Sequence, residues 1–197
     1  FTTNIVRAAP VEYDEKILHA RRPIKAILMN SGNANACTGE VGMEDVLTST
    51  ALTAQALSCK SDEVVMCATG VIGVPLEMEK IVKGIDYCCQ NLSNKKENAH
   101  ESAKAILTTD TFSKEVAVEL TIEGKVVRIG GMAKGSGMIH PNMATMLSFI
   151  TTDANVDPLF LQSLLGDSIS TSYNMISVDG DTSQTFALEG LGDSQNL

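Results

Sequence analysis

The stretch KGSGMIHPNMATML, residues 134–147, holds the residues whose types and spacing best suit chemistry. It opens with a loop punctuated by glycines, which can fold tightly around a ligand because glycine has no Cβ. The loop leads from Lys134 through Ala144 to Thr145 at a loop-to-strand junction. A threonine hydroxyl in that setting is a candidate nucleophile. The alternative is an ordinary strand residue, since threonine is enriched in β-strands.

Two other segments place small polar groups directly after apolar runs. SGNANACTGE (31–40) follows IKAILM (24–29) and is expected to form a loop outside the core, with amide and backbone donors turned toward a ligand. ATGVIG (68–73) follows a second predicted strand over 62–67. Its Thr69–Gly70 pair offers a hydroxyl and a backbone N–H to one cavity, as an oxyanion hole requires. The alternative for either segment is a plain turn, although the repeated Asn-Ala pair makes the first segment less generic.

The elements that must position these residues alternate between strands and helices. Apolar residues recur at helical spacing in 43–57, 76–85, 99–107 and 159–173. Residues 116–129 alternate on both sides of Glu123-Gly124 and predict a β-hairpin, while 146–154 and 174–178 are predicted strands. The polar run TTDTFSKE (108–115), between a helix and the hairpin, is either a turn or the mouth of a pocket.

Composition excludes several classes of function. The 197 residues suffice for one substantial domain, and a net charge of -9 leaves no basic stripe for a nucleic acid. The sequence contains no run of 18 apolar residues, so no membrane span is predicted, and the N-terminus lacks the pattern of a signal peptide. Five cysteines follow no zinc spacing, so reduced, mostly buried thiols and no metal site are expected. They are Cys37, Cys59, Cys67, Cys88 and Cys89.

Four motifs in one order indicate a family. They are NSGNANACTG (30–39), ATGVIG (68–73), AILTTDT (105–111) and KGSGMIHPNMATML (134–147). Together they resemble the signatures of the ornithine acetyltransferase family, the glutamate N-acetyltransferases of arginine biosynthesis. The likeness runs from FTTN at residue 1 to about VDGDTS at residue 183. It implies an α/β fold, a layered α/β sandwich of the self-cleaving amidase and ornithine acetyltransferase type, in a chain incomplete at both ends.

The resemblance also implies that the chain is cut. Self-cleavage between Ala144 and Thr145 would leave residues 1–144 as an α-chain-like piece. Residues 145–197 would begin a β-chain-like piece, truncated or divergent after about residue 183. By motif position Thr145 matches the nucleophile of the family.

The remaining site residues are assigned by the same resemblance. Thr69 and Gly70 match the oxyanion-hole pair of the family. Lys134 and a threonine of the TTDT run match its substrate contacts, with Thr108 preferred to Thr109. Cys67, Cys88 and Cys89 are assigned to packing, not to chemistry.

The implied activity is transfer of an acetyl group from N-acetylornithine to glutamate, in a ping-pong exchange through acetyl-Thr145. It needs no metal and no cofactor, and acetyl-CoA stays open as an alternative donor. The expected partners are these small molecules, not a nucleic acid or a membrane. The expected assembly is a heterotetramer of two α and two β pieces in the cytoplasm, or in the mitochondrial matrix of a fungus. Two alternatives stay open: an aminopeptidase or amidase of the same fold, and a non-catalytic fragment of the family.

Overall fold

The structure is a computed structural model that describes residues 5–139 and 146–180 and the backbone of residues 187–192. The chain divides into two compact units, one within Asn4–Thr108 and the other within Thr109–Leu197. The boundary falls inside the TTDT run, so the two threonines considered as substrate contacts end one unit and begin the next. Within the described part of the chain, no helix is both long and apolar enough to cross a membrane.

The first unit is built on two parallel strands, β1 (Ala26–Asn33) and β2 (Val64–Val71). Helix α2 (Gly39–Ala56) makes the crossover between them, because parallel neighbours cannot be joined by a tight turn. The first six residues of β2 are all buried, and a strand covered on both faces has a continuous apolar run. A short 3-10 helix, Ser61–Glu63, leads into β2.

Three more helices complete the first unit: α1 (Ala9–His19), α3 (Met78–Gln90) and α4 (Lys96–Ala105). Its core joins α1, α2 and β2 through Ala9, Tyr13, Ile17, Val46, Val65, Met66 and Leu76. Asp14 is a charged group in this core, and its Oδ1 accepts the N–H of Met66 at 2.9 Å. That hydrogen bond fixes α1 against the middle of β2.

The second unit contains a four-stranded sheet in the order β3 (Lys114–Ile122), β4 (Lys125–Lys134), β5 (Leu147–Thr152) and β6 (Ala187–Gly192). The first three strands are antiparallel, and β6 runs parallel to β5. Glu123 and Gly124 have φ of +51° and +79°, the left-handed values of a tight hairpin turn. Helix α5 (Pro158–Ser170) is capped by Asp157, whose Oδ1 accepts the N–H of Leu159 and of Phe160, each at 3.0 Å.

Several predicted elements are confirmed. The hairpin turns at Glu123-Gly124, and helices α2, α4 and α5 and strand β5 overlap their predicted ranges, with ends that differ by one to four residues. Helix α3 was predicted over 76–85, but it begins at Met78 and continues to Gln90. Gly84 does not end it, since a single glycine inside a helix costs only about 1 kcal/mol and Ile85 is buried immediately after it.

Two strand predictions are wrong in their bounds and one is wrong in kind. Strands β1 and β2 both run past their apolar residues, to Asn33 and Val71, because they pair with each other along eight residues each. Residues 174–178 form no strand. A 3-10 helix, Tyr173–Met175, occupies their start, and Val178 donates its N–H to Ile139 O at 3.0 Å. Helix α1 was not predicted, although Pro10 stands in its first turn, where proline is favoured.

Candidate active site

Thr69 and Gly70 lie near the end of β2, beside the SGN residues of β1. Their register partners are Ser31 and Gly32. Thr69 is 7% exposed, and Gly70 and Gly32 have φ of +131° and +114°. A Cβ on Gly70 would stand 2.3 Å from the carbonyl carbon and oxygen of Gly32. Glycine is therefore required here by both backbone conformation and space.

Ser31 links this strand end to the TTDT run. Its Oγ donates to the carbonyl oxygen of Ala105 at 2.7 Å. Ala105 is the last residue of α4, and Thr108 follows it by three residues. The first unit therefore brings Thr69, Gly70 and the segment leading to Thr108 to one place, through a serine to which the sequence analysis gave no role.

The SGNAN segment is not the loop outside the core that was expected. Ala34, Asn35 and Ala36 are all buried, and the two alanines pack with Ala8 and Val11. Asn35 has φ of +49° and donates through Nδ2 to Gly42 O at 2.9 Å. The small residues are needed because the chain turns from β1 into α2 directly against α1, where larger side chains would not fit.

Lys134 is the last residue of β4 and lies in the second unit. It is only 4% exposed, which is unusual for an ammonium group. Burial lowers the pKa of Lys134 below its usual range, while the negative charge of Asp110 acts in the opposite direction. In the β4–β5 ladder Lys134 pairs with Leu147, which comes two residues after Thr145 in the sequence.

Asp110 is the buried acid of this cluster. Its carboxylate is fully buried, and Oδ1 accepts from Lys114 Nζ at 2.6 Å and from the N–H of Gly135 at 2.8 Å. Oδ2 is also buried and makes no hydrogen bond within the described residues. Burial alone would raise the pKa of Asp110, but the hydrogen bonds from Lys114 and Gly135 and the charges of Lys114 and Lys134 outweigh it and lower that pKa.

The loop after Lys134 is held at both ends by carboxylates. Asp110 holds Gly135, and Ser136 Oγ donates to Thr109 O at 3.3 Å. At the far end Asp179 accepts the N–H of Met138 at 2.6 Å and of Ile139 at 2.9 Å. Both aspartates stand inside motifs quoted for the resemblance, TTDT and VDGDTS, but neither was assigned a role. Their positions in those motifs are the signal that could have found them.

The predicted residues are divided between the two units. Thr69, Gly70 and Thr108 belong to the first unit, and Lys134 belongs to the second. Ala144 and Thr145, the predicted cleavage site and nucleophile, lie outside the described residues.

The second unit also contains an apolar groove. Its volume is about 540 Å³, and its lining includes Lys114, Ile129 and Tyr173 on and beside the sheet. Lys134, the predicted site residue that the structure describes in this unit, does not line it. The polar cluster around Lys134, not this groove, is the place in the second unit that suits a charged substrate.

The cysteines are less buried than expected. Cys67 is buried in β2, but Cys37 and Cys88 are exposed and Cys59 and Cys89 are intermediate. The assignment of Cys88 to packing is therefore wrong, because it lies on a side of α3 that faces solvent. Across residues 5–139 and 146–180, no three His, Cys, Asp or Glu side chains are grouped so as to hold a metal ion.

Comparison with known proteins identifies the family. The sequence model of the ArgJ family matches residues 1–188, past the end of the likeness expected at residue 183. The chain is 52% identical over 183 residues to the arginine biosynthesis bifunctional protein ArgJ of Caldanaerobacter subterraneus subsp. tengcongensis, covering 93% of this chain and 45% of that protein. It is 55% identical over 185 residues to the ArgJ protein of Thermotoga neapolitana, covering 93% and 46%. The chain spans about half the length of these curated relatives.

Solved structures show the same fold. The crystal structure of the arginine biosynthesis bifunctional protein of Bacillus halodurans matches with a TM-score of 0.67 and 42% identity, covering 73% of this chain and 74% of that chain. The Mycobacterium tuberculosis ornithine acetyltransferase complexed with ornithine also matches with a TM-score of 0.67, at 39% identity, covering 72% and 74%. The predicted α/β fold class and the resemblance are both confirmed, and the chain belongs to the ArgJ family.

Proposed function

We propose that this chain supplies the nucleophile-bearing part of an enzyme that transfers an acetyl group from N-acetylornithine to glutamate. Its ArgJ relatives are named bifunctional proteins of arginine biosynthesis. A similar protein from M. tuberculosis was solved with ornithine bound, which supports an ornithine derivative as a substrate. Acetyl transfer through Thr145 is the reaction that best fits the residues described above.

The observation that carries this proposal is the buried Lys134 at the end of β4. Lys134 lies in a cluster with Lys114 and Asp110, in which ammonium groups outnumber carboxylates two to one. An ammonium is a compact point charge, well suited to the carboxylate that N-acetylornithine and glutamate share. Thr145 comes two residues before Leu147, the ladder partner of Lys134, in the sequence.

Self-cleavage would create the nucleophile. Thr145 Oγ attacks the carbonyl carbon of Ala144, the peptide C–N bond breaks, and the nitrogen takes up a proton to become a free α-amine. Water then hydrolyses the resulting ester, which gives Ala144 a carboxylate and returns the hydroxyl to Thr145. The free α-amine can accept a proton from its own side chain, because an α-amine has a pKa of about 7.7–8.0.

Acetyl transfer then proceeds in two matched steps. Thr145 Oγ attacks the acetyl carbonyl of N-acetylornithine and passes its proton to the α-amine. The tetrahedral intermediate collapses, ornithine leaves with that proton on its nitrogen, and acetyl-Thr145 remains. The amine of glutamate attacks this ester, and the reverse proton transfer releases N-acetylglutamate.

Thr69 and Gly70 are the proposed stabilisers of the oxyanion formed in each step. The hydroxyl of Thr69 and the N–H of Gly70 come from adjacent residues of β2, at the point where its buried residues are followed by exposed ones. Such a donor pair is fixed before the reaction, and one donor is typically worth about 3–4 kcal/mol in the transition state. The contact between Gly70 and Gly32 is consistent with this role, because it holds the backbone of Gly70 in one position.

The lengths of the related chains support cleavage. The B. halodurans chain matches over nearly equal fractions of itself and of this chain, so the two are about equally long. The curated ArgJ relatives are about twice as long. A solved chain of half the family length is what a cleaved protein would give.

Intact-mass spectrometry of the purified chain tests this proposal. We expect two pieces, the second beginning at Thr145, and a Thr145→Ala variant that stays uncut. After incubation with N-acetylornithine the second piece should gain about 42 Da, one acetyl group in place of a hydrogen. Thr151→Ala is the matched control, since Thr151 is an exposed threonine, the next-to-last residue of β5, and its replacement should leave both results unchanged.

The same experiment separates the alternatives. Release of acetate at the same rate with and without glutamate would indicate an amidase. Intact wild-type chain with no mass gain would indicate a non-catalytic fragment. A mass gain with acetyl-CoA would establish it as a second donor, and native mass spectrometry would test the proposed two-plus-two assembly.

A further inference from the structure

Asp179 connects the two sides of the proposed cleavage site. It lies 34 residues after Thr145, in the piece that would follow the cut, yet its carboxylate binds the loop that precedes the cut. Its Oδ2 accepts the N–H of Met138 at 2.6 Å and its Oδ1 accepts the N–H of Ile139 at 2.9 Å. Hydrogen bonds to an ionised carboxylate are about twice as strong as neutral ones.

A backbone contact adds to this attachment. The N–H of Val178 donates to the carbonyl oxygen of Ile139 at 3.0 Å, so residues 178–179 bind Ile139 through both its N–H and its C=O. Ile139 is 3% exposed. Met138 has φ of +56°, a left-handed conformation that a residue with a side chain adopts when its surroundings hold it there.

The described residues on either side of the proposed scissile bond are held in place. Ile139 is bound by residues 178–179, and Met146 and Leu147 are buried at the start of β5. Fixing both ends of a short segment reduces the number of conformations it can adopt. An intramolecular attack gains most of its rate from such restriction, and a displacement of about 1 Å can slow it by about 100-fold.

We propose that Asp179 is a positioning residue for self-cleavage, which acts by holding the backbone of Met138 and Ile139 at the entry to the Ala144–Thr145 segment. This inference rests on the self-cleavage proposed above. It assigns no proton transfer to Asp179, since the carboxylate is occupied by backbone N–H groups.

The rate of cleavage tests the role. The uncut precursor is followed with time on a denaturing gel and by intact mass, for the wild type and for Asp179→Asn. An asparagine keeps one acceptor oxygen and loses the charge, so we expect the precursor half-life to lengthen by about 10-fold or more. Asp179→Glu keeps the charge on a side chain that is one methylene longer. Its precursor half-life should lie between those of the wild type and Asp179→Asn. It also serves as the test variant if Asp179→Asn does not fold.

Asp157→Asn is the matched control. Asp157 also binds two backbone N–H groups through its carboxylate, but it does so at the first turn of α5. Asp157→Asn should lower the free energy of unfolding about as much as Asp179→Asn does, and it should leave the cleavage rate unchanged. Equal slowing in both variants would mean that cleavage follows overall stability, and it would overturn the positioning role.

Hydrogen exchange gives a readout that does not depend on cleavage. In the Thr145→Ala background, Asp179→Asn should increase exchange at the amides of Met138 and Ile139, while Gly135, held by Asp110, keeps its protection. If the wild type and Asp179→Asn are cleaved equally fast, this inference is overturned and the self-cleavage proposal stands. An uncut wild type overturns the self-cleavage proposal, and this role with it.

Discussion

Replacing Asp110 by asparagine removes the negative charge at the centre of the Lys134 cluster. The carboxylate is fully buried and accepts from Lys114 and from the N–H of Gly135. Asparagine keeps one acceptor oxygen, so the geometry can survive while the charge does not. The variant therefore measures what the charge contributes.

The expected loss of stability is about 2.5–3 kcal/mol, the sum of three contributions. Changing the Gly135 hydrogen bond from charged to neutral costs about 1 kcal/mol. The Lys114 pair adds about 0.5–1 kcal/mol, reduced because the Lys114 ammonium is 37% exposed and can turn to water. The remainder is the cost of leaving the buried Lys134 without its nearby opposite charge, about 1 kcal/mol once deprotonation is allowed as an escape.

Urea denaturation at pH 7, monitored by circular dichroism, measures this loss of stability. Asp153→Asn is the control, because Asp153 also accepts a backbone N–H, from Arg128 at 2.7 Å, but is 39% exposed. It should lose less than about 1 kcal/mol. Equal losses in Asp110→Asn and Asp153→Asn would refute the reasoning, since burial would then make no difference to the contribution of the carboxylate.

The dependence of this loss on pH has a definite sign. The pKa of Asp110 is lowered in the folded state, so its contribution is present above the usual aspartate value of about 3.9 and is lost as the pH falls through the folded pKa. The difference in the free energy of unfolding between wild type and Asp110→Asn should therefore be constant from about pH 5 to pH 7. It should disappear under acid conditions. If this difference persists at the lowest pH at which the protein folds, it is caused by packing and not by charge.

Three further outcomes follow from the contacts above. Gly70→Ala should destabilise the chain by about 3 kcal/mol or more, because its Cβ meets the backbone of Gly32, whereas Gly73→Ala, with φ of +80° and open space, should cost about 1 kcal/mol in the same urea assay. Thr69→Ala should slow acetylation of Thr145 by about 100-fold or more, measured by mass gain. Because the pKa of Lys134 is lowered by burial, it loses its proton earlier in the folded chain than in the unfolded one. Stability should therefore rise as the pH climbs from that lowered pKa toward about 10.4, and Lys134→Met should abolish the rise.

The sequence was most informative where local chemistry alone decides the structure. The hairpin at Glu123-Gly124 was predictable because two left-handed residues between alternating strands suit few other arrangements. The end of β2 was not predictable in the same way. Glycine weakens an isolated strand, and Gly70 lies in β2 only because Gly32 of β1 approaches it closely.

The candidate site shows the same limit. The motifs identified the family and pointed to Lys134 and to Thr69–Gly70, whose roles stay predictions. They did not show what holds these residues, because the contacts join distant positions. Asp110 binds Gly135 across 25 residues, and Asp179 binds Ile139 across 40. A single sequence contains no periodic signal for such pairs, since neither aspartate belongs to the repeating pattern of residues on one face of a helix or strand.

The pairing of β4 with β5 bears on what a cut at Ala144–Thr145 would do to the molecule as a whole. Six residue pairs, from Ile129–Thr152 to Lys134–Leu147, join strands that would then belong to two different polypeptides. The sheet would stay intact, while the connection that made its assembly a first-order process would be gone. Recovery from denaturant would become bimolecular, faster at higher protein concentration, and the two purified pieces would have to find each other. A protein cut in this way would fold once as a single chain and would thereafter depend on its two pieces staying together.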